Sequence, residues 1–301
     1  MWPTARPVLW VLGASGFVGV HAVEAGLAAG FDVVGIARAE ASAALSPAAR
    51  RACRWVRADL AAERSVVDLF ASETPAAVLG LAAVARAEEV QRNPARAARL
   101  NVALPAELGA LAHDAGVRVV WASTDQVFGA LPPPDGGFHE DVPPAPVGVY
   151  GSTKAAGESA LLCVDPAALV ARLPLLFGDS RGRGLGASDS LRAAIGRGDR
   201  PFLFEDEWRT PLDVQDAARL LVELVAGAAT GIVHLPGPQR LSRAELGELI
   251  VGAPPWPFDR GPRSARGAES RPADTSLATH RLRALVTHEP LHPAHALARA
   301  R

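Results

Sequence analysis

The chain has 301 residues, 49% of them hydrophobic and 21% charged, the composition of a folded globular protein with one large or two modest domains. Lys and Arg number 31 against 32 Asp and Glu, a formal charge of -1, so nucleic-acid binding, which depends on a basic surface, is not expected. Cys53 and Cys163 are too few for a disulfide framework and have no zinc-site spacing. The apolar run near the N-terminus is too short for a signal segment or a membrane span, so a cytoplasmic protein is expected.

Residues 8–12 form an apolar run bounded by glycine, which predicts a buried parallel strand. The segment GASGFVG (13–19) follows, then a helical pattern that Gly30 ends and a second strand in FDVVGIAR. A third strand is expected at 54–56, a helix through Val66 to Phe70 and a fourth strand at 77–81. A helix holding Asn101, Leu104 and Leu108 leads to a fifth strand at 117–123. Residues 129–149 are too rich in Pro and Gly for regular structure and predict a functional lid or a disordered insert. Helical pattern resumes at Tyr150, and 169–178 reads as a sixth strand. Further on come a helix near 213–227, a strand at 231–235 and a helix opened by a capping box, Ser242 to Glu245. The stretch 253–273 reads as a flap or a surface loop. Strands alternating with helices predict a Rossmann-type, doubly wound parallel sheet. The expected division is a dinucleotide-binding domain over 1–176 and a smaller, partly interleaved substrate domain over 177–301.

Three features carry chemistry. Glycines between a strand and a helix let the backbone approach a diphosphate, which the free amides and helix dipole attract; the bland alternative is a tight turn. At the end of the second strand, where an acid would hold the ribose hydroxyls of NAD, stand Ala37 and Arg38. A cation there matches a 2′-phosphate and favours NADP over NAD, unless Arg38 is simply a surface arginine. Asp59 could meet the adenine edge or cap a helix. Finally, Tyr150 is the only tyrosine and Lys154 the only lysine, one helical turn apart on one face. An ammonium beside the phenol, with the positive nicotinamide of oxidised cofactor, should lower the phenol pKa from about 10 and make it a usable acid. Ser123 and Thr124, at the end of the fifth strand, are candidates to orient a carbonyl oxygen.

GASGFVG, STDQVFG, YGSTK and AAGE together resemble the extended short-chain dehydrogenase/reductase family. RTPLDVQDAARLL (209–221) and RPADTSL (271–277) resemble its dTDP-4-dehydrorhamnose reductase branch, which includes the regulatory beta subunit of methionine adenosyltransferase. The resemblance runs over nearly the whole chain. It implies Thr124, Tyr150 and Lys154 as catalytic residues. It also implies cofactor contacts at Gly13, Ser15, Gly16, Phe17, Val18, Gly19, Arg38, Asp59, Leu60, Ala82, Ala83, Asn101, Tyr150, Lys154 and Leu173. Substrate contacts would come from Asp125, Gln126, the 177–212 segment with Arg209, and Arg271; apart from the resemblance, Trp208, beside the RTP segment, is a candidate substrate wall. Two positions depart from the branch: Gln126 stands where a tyrosine is usual, and Ala87-Glu88 where Val-Asp is usual. Both lie on the substrate side, and the amide of Gln126 suggests a more polar or differently shaped ligand.

The implied activity is reduction of a keto group on a nucleotide-linked deoxysugar or related specialised metabolite. The alternatives are an epimerase using the same triad and a non-catalytic NADP-binding regulatory subunit. The expected partner is a small keto substrate, with no nucleic acid and no membrane, and a homodimer is one assembly in view. No metal is expected: His288, His292 and His295 lie near Pro290 and Pro293, which should interrupt any helix aligning them. Arg299 and Arg301 read as a solvated tail, and Trp2, Trp10, Trp55, Trp121 and Trp256 as core or interface residues.

Overall fold

The computed structural model describes residues 6–40, 43–268 and 271–299, so Trp2 and Arg301 lie outside the described residues. Seven parallel strands form the central sheet: β1 (Val8–Leu12), β2 (Asp32–Ala37), β3 (Arg54–Arg57), β4 (Ala77–Gly80), β5 (Arg118–Thr124), β6 (Leu169–Leu173) and β7 (Gly231–His234). Their order is β7-β6-β5-β4-β1-β2-β3, the Rossmann-type arrangement the alternation predicted. Six helices matter for the site: α1 (Phe17–Ala28), α2 (Leu104–Ala115), α3 (Val149–Val164), α4 (Gly186–Gly196), α5 (Val214–Ala226) and α6 (Arg243–Val251).

The inner strands are largely apolar because both faces are covered, whereas the edge strand β3 carries Arg54 and Arg57 and is partly exposed. Along β1, Leu9 and Val11 face one side, with Val20 and Val23 of α1 and Leu221 of α5. Trp10 and Leu12 face the other, with Leu104 and Leu108 of α2 and Leu161 of α3. A separate, smaller core joins α4 and α6 through Leu191, Leu246 and Ile250, together with Phe177, Leu203, Phe258 and Leu297.

Several expectations shift for local reasons. The run 169–178 is two strands, because Pro174 cannot donate to a ladder: β6 ends at Leu173, and Leu176–Phe177 pairs instead with Leu212–Asp213. The stretch 129–148 has no regular element, yet it is tied down. Phe138 stacks on Phe128 with centroids 4.2 Å apart, the Ala145 amide donates to the Val127 carbonyl, and Glu140 accepts from the His234 amide at 3.1 Å. Within 253–273, Asp259–Gly261 pairs with Phe202–Phe204, and Trp256 stacks on Phe258 against the smaller core. Trp256 and Phe258 are therefore packed on the smaller core, while Ala253, Pro254 and Pro255 are exposed.

Near the C-terminus, Pro293 opens the helix Pro293–Arg299 rather than interrupting one, which suits a residue whose missing N–H would be unpaired there anyway. His288 bonds Asp216 at 3.0 Å. Arg299 is exposed, as expected, yet anchored: its guanidinium lies 2.6 Å from Asp213 and 3.3 Å from Asp216, two buried carboxylates.

Candidate active site

The chain leaves β1 at Leu12 and enters α1 at Phe17, so the glycine turn stands where the sheet order reverses between β1 and β4. Gly13 has φ +85°, and a Cβ on it would lie 2.9 Å from the Ala82 nitrogen; one on Gly19 would lie 2.2 Å from the Gly13 carbonyl oxygen. Only glycine permits this closure. No side chain caps α1 and no acid lies in its first turn, so its leading amides and positive dipole end remain available to an anion.

Three adjoining cavities run along the ends of the strands. The first, about 480 Å³, is lined by Gly13, Ser15, Gly16, Ala37, Arg38, Asp59, Leu60, Ala82 and Ala83. The second, about 310 Å³, shares Gly13 and Gly16 with it and adds Phe17, Val18, Gly19, Ser123, Thr124, Tyr150, Lys154 and Leu173. The third, about 830 Å³, shares Phe17, Thr124 and Tyr150 with the second and reaches Asp125, Gln126, Glu207, Arg209, Arg243 and Arg271. The shared walls make one groove from Arg38 past the glycine turn to the phenol and onward. Its first two parts have the chemistry a dinucleotide needs: a side-chain-free diphosphate cradle between an exposed cation and the half-buried Tyr150 with the buried Lys154.

At the Arg38 end, the guanidinium is exposed and makes no hydrogen bond or ion pair among the described residues. Asp59 accepts from Arg96 at 2.9 and 3.2 Å and from the Ala61 amide at 3.0 Å. The Arg96 bonds are the main reason its carboxyl sits below the ordinary range. It caps no helix, since the next one starts at Ser65 with Arg64 as its cap. Asn101 does not line the groove. It is fully buried in a π-turn (Arg99–Ala103) that precedes α2. Its amide bonds both the N–H and the C=O of Val84, at 2.9 and 3.0 Å, and the Thr153 hydroxyl at 3.0 Å. It fixes the loop after β4 to the helix that carries Tyr150, a positioning task rather than a contact.

Helix α3 presses on the short turn Asp125–Val127: a Cβ on Gly151 would lie 1.9 Å from the Gln126 carbonyl oxygen. That closeness sets Tyr150 beside Thr124. Lys154, 3% exposed, donates to the Ala122 carbonyl at 2.7 Å and lies over the Trp121 ring at 5.4 Å. Burial brings its pKa down to about 8, against the opposing charge of Glu158. The Tyr150 phenol is pushed up from its ordinary value, mainly by burial and then by the Asp125 charge, with the Thr124 hydrogen bond opposing. The expectation that Lys154 depresses this pKa does not hold in the unliganded protein, because the ammonium is spent on a carbonyl and the charge acting on the phenol is a carboxylate. Thr124 Oγ1 donates to Asp125 Oδ1 at 3.1 Å and accepts from the Gln126 amide at 3.2 Å. Ser123 lines only the second cavity, with a buried hydroxyl that has no partner among the described residues.

On the far side, Asp125 is 3% exposed, and burial raises its pKa against the pull of Arg209. Thr275, from the C-terminal RPADTSL segment, donates to it at 2.8 Å. Arg209 is 3.5 Å from Asp125 and 3.4 Å from Glu207, and Arg271 is 2.9 Å from Glu207. Gln126 and Ala87 line the cavity, whereas Glu88 does not. Trp208 is not among the residues lining this cavity, and the Arg240 guanidinium lies over its ring, 4.0 Å from the centroid. Arg243 escaped the sequence reading, and Glu207 entered it only as an unnamed member of the 177–212 segment. Glu207 had one signal, an acid two residues before Arg209; alternation along an extended segment puts such residues on one face.

A family model described as the RmlD substrate binding domain matches residues 8–300. A probable low-salt glycan biosynthesis reductase of Haloferax volcanii is 29% identical over 66% of this chain and 66% of its own. The methionine adenosyltransferase 2 subunit beta of Xenopus laevis is 27% identical over 64% of this chain and 58% of its own. The chain thus spans less than two thirds of the length of these curated relatives. Among solved structures, a dTDP-4-dehydrorhamnose reductase from Bacillus anthracis in complex with NADP superposes with a TM-score of 0.81 at 18% identity, covering 98% of this chain and 99% of that one. Family model, fold and groove agree, and the resemblance read from the motifs is borne out: this chain belongs to the RmlD substrate binding domain family.

Proposed function

We propose that the protein is an NADPH-dependent reductase of a keto group on a nucleotide-linked deoxysugar or a related metabolite. The observation that carries this reading is the groove itself, in which the glycine turn, Tyr150 and Lys154 line one cavity and Thr124 and Tyr150 continue into the next. Gly13, Ser15 and Gly16 would hold the diphosphate, Arg38 the 2′-phosphate, and Lys154 the nicotinamide ribose. The NADP of the Bacillus anthracis reductase supports the choice of cofactor, and so does the absence of an acid at Ala37 and Arg38.

When bound, the nicotinamide supplies hydride to the carbonyl carbon. The chain does the rest. Thr124 orients the carbonyl oxygen, and Tyr150 gives it the phenolic proton as charge develops there. Reduction needs the phenol protonated at the outset, and its raised pKa keeps it so. Solvent entering the third cavity then returns the proton. Replacing Tyr150 with Phe should abolish NADPH oxidation with a dTDP-4-keto-6-deoxysugar while leaving NADP+ affinity within about twofold; retained turnover in Y150F would refute the assignment. Stoichiometric NADPH consumption separates a reductase from an epimerase.

A second reading has one observation in its favour, the subunit beta relative: a cofactor-binding partner subunit without turnover. Recovery of a stable hetero-complex together with NADP+ binding but no reduction of any keto sugar would select it.

A further inference from the structure

The loop 178–185 joins the short strand Leu176–Phe177 to α4 and carries Arg181 and Arg183. Both side chains leave the loop and close on α1 and the turn before it. Arg181 donates to both carboxylate oxygens of Glu24, one of them at 2.8 Å, and to the Ala44 carbonyl. Its φ is +55°, a left-handed value that a non-glycine residue keeps only where its surroundings hold it. His21 of α1 meets the Asp179 carbonyl at 2.9 Å. These contacts tie the loop to the body of the helix. Arg183 holds the turn itself. Its Nη1 donates to the Ser15 carbonyl at 2.8 Å, and Nη1 and Nη2 both reach the Gly16 carbonyl at 3.4 Å. Its Nε donates to the Ser180 carbonyl at 2.8 Å. Arg183 forms no ion pair among the described residues, and the Asp179 charge acts on it from farther off, against that of Arg181. A half-buried guanidinium is thus carried by carbonyl oxygens, two of which belong to the glycine turn.

A carbonyl and the amide of the following residue are the two ends of one peptide dipole. The Ser15 carbonyl shares its peptide with the Gly16 amide, which closes the turn on the Gly13 carbonyl at 2.9 Å. The Gly16 carbonyl shares its peptide with the amide of Phe17, the first residue of α1, which the helix leaves without an acceptor. A cation drawing on both carbonyls tightens the closure and polarises the Phe17 N–H. It also adds a full positive charge to the partial one already at this helix end. The loop is bound as firmly on its other side. The Ser180 hydroxyl, fully buried, and the Ser180 amide donate to Asp189 of α4 at 2.6 and 2.7 Å, and the same hydroxyl accepts from the Leu185 amide at 3.1 Å. Helix α4 gives Ala187 and Ser190 to the wall of the third cavity. An unbroken run of bonds therefore leads from the glycine turn through Arg183, Ser180 and Asp189 to that wall.

We propose that Arg183 is a positioning residue for the dinucleotide: it holds the glycine turn by its carbonyls, lends charge to the diphosphate cradle, and makes the order of the 178–190 segment depend on what the cradle holds. The inference rests on reading the groove as a dinucleotide site, and it adds a residue that lines none of the three cavities. The dependence runs both ways, because a loop that strengthens cofactor binding must itself be steadied by the bound cofactor.

The test titrates NADP+, NAD+ and adenosine 2′-monophosphate calorimetrically into wild type, R183Q and R183K. The last ligand has no diphosphate, so it separates the proposed role from a general loss of structure. The expected result is that R183Q weakens NADP+ and NAD+ by a common factor of about five or more, the scale of a partly buried charge at a helix end. R183K recovers part of that loss, and adenosine 2′-monophosphate binds all three proteins alike. Hydrogen exchange over residues 179–190 gives the second readout: saturation with NADP+ slows it in wild type but not in R183Q brought to equal occupancy. Dinucleotides that bind R183Q as tightly as wild type overturn the proposal, and so does a wild-type loop whose exchange ignores saturation. An equal loss for adenosine 2′-monophosphate also overturns it, since Arg183 would then be merely structural. Failure of wild type to bind either dinucleotide is a different outcome, because it refutes the cofactor groove beneath the inference.

Discussion

Replacing Glu158 with Gln should damage this protein more than any other single isosteric change near the site. Glu158 lies one turn after Lys154 on α3, and its side chain is 3% exposed. It receives three contacts from Arg172 of β6: Nε at 3.1 and 3.2 Å and Nη2 at 2.6 Å. Arg172 is fully buried, stacks over Phe128 at 5.0 Å and has His234 at 3.2 Å. Burial first, then the neighbouring Arg172 charge, drives the His234 pKa down to about 4, so at neutral pH this histidine adds no second cation. The neutral amide introduced by E158Q would leave one buried guanidinium without a counter-charge, a loss of about 3–5 kcal/mol. At roughly 2–4 °C per kcal/mol for a domain somewhat smaller than this chain, the melting temperature should fall by about 6–20 °C. The same change removes the charge that opposes the depression of the Lys154 pKa, so NADP+ affinity should weaken as well. Calorimetric melts of E158Q, R172M and the double variant form a cycle. The reasoning predicts that the double variant recovers much of the loss, because an apolar side chain facing an amide has no charge to desolvate. A melting point of E158Q within about 2 °C of wild type, or a double variant as unstable as the two losses summed, would refute it.

Other consequences follow from the groove. Arg38→Ala should weaken NADP+ about tenfold or more, the scale of one charge-assisted contact, and leave NAD+ unchanged, as fluorescence titration with both cofactors would show. Gly19→Ala places a methyl group 2.2 Å from the Gly13 carbonyl oxygen; loss of cofactor binding with a lowered melting point is expected, and an unaffected Kd would contradict the cradle. Lys154, whose pKa burial lowers to about 8, should lose its charge as pH rises through that value, so NADP+ affinity should decline above about pH 8 and lose that dependence in Lys154→Met. Its stability effect has the opposite sign. Between about pH 8 and 10.5 the unfolded chain binds more protons than the folded one, so this residue's contribution to stability rises with pH across that window, a trend that K154M should abolish in denaturation experiments.

Much of the fold was legible because its signals are local. Apolar runs such as Val8–Leu12 mark strands covered on both faces, and the glycine turn and the Tyr150–Lys154 spacing lie on contiguous stretches of chain. What sequence could not show arises from distant segments meeting. Trp208 looked like a wall beside Arg209, but it does not line the cavity and Arg240 lies over its ring. Asn101 looked like a contact, but the backbone of Val84, 17 residues upstream, consumes its amide. The Tyr150 pKa was expected to fall because Lys154 is close in sequence; burial and Asp125 decide it instead. Arg243 carried a signal that only the fold makes readable. A cation in the first turn of a capped helix is a small oddity in a sequence, and only the fold shows that it stands at the junction of two cavities within reach of the Glu207 charge.

Because Tyr150 is the only tyrosine, its ionisation can be followed alone by phenolate absorbance, with no substrate needed. The account predicts that in the unliganded protein this phenol titrates above the ordinary tyrosine value of about 10, and that saturation with NADP+ draws the titration down by about one unit or more as the positive nicotinamide comes against it. A phenol that titrates normally and ignores NADP+ would contradict the central claim, that glycine turn and tyrosine belong to one cofactor groove.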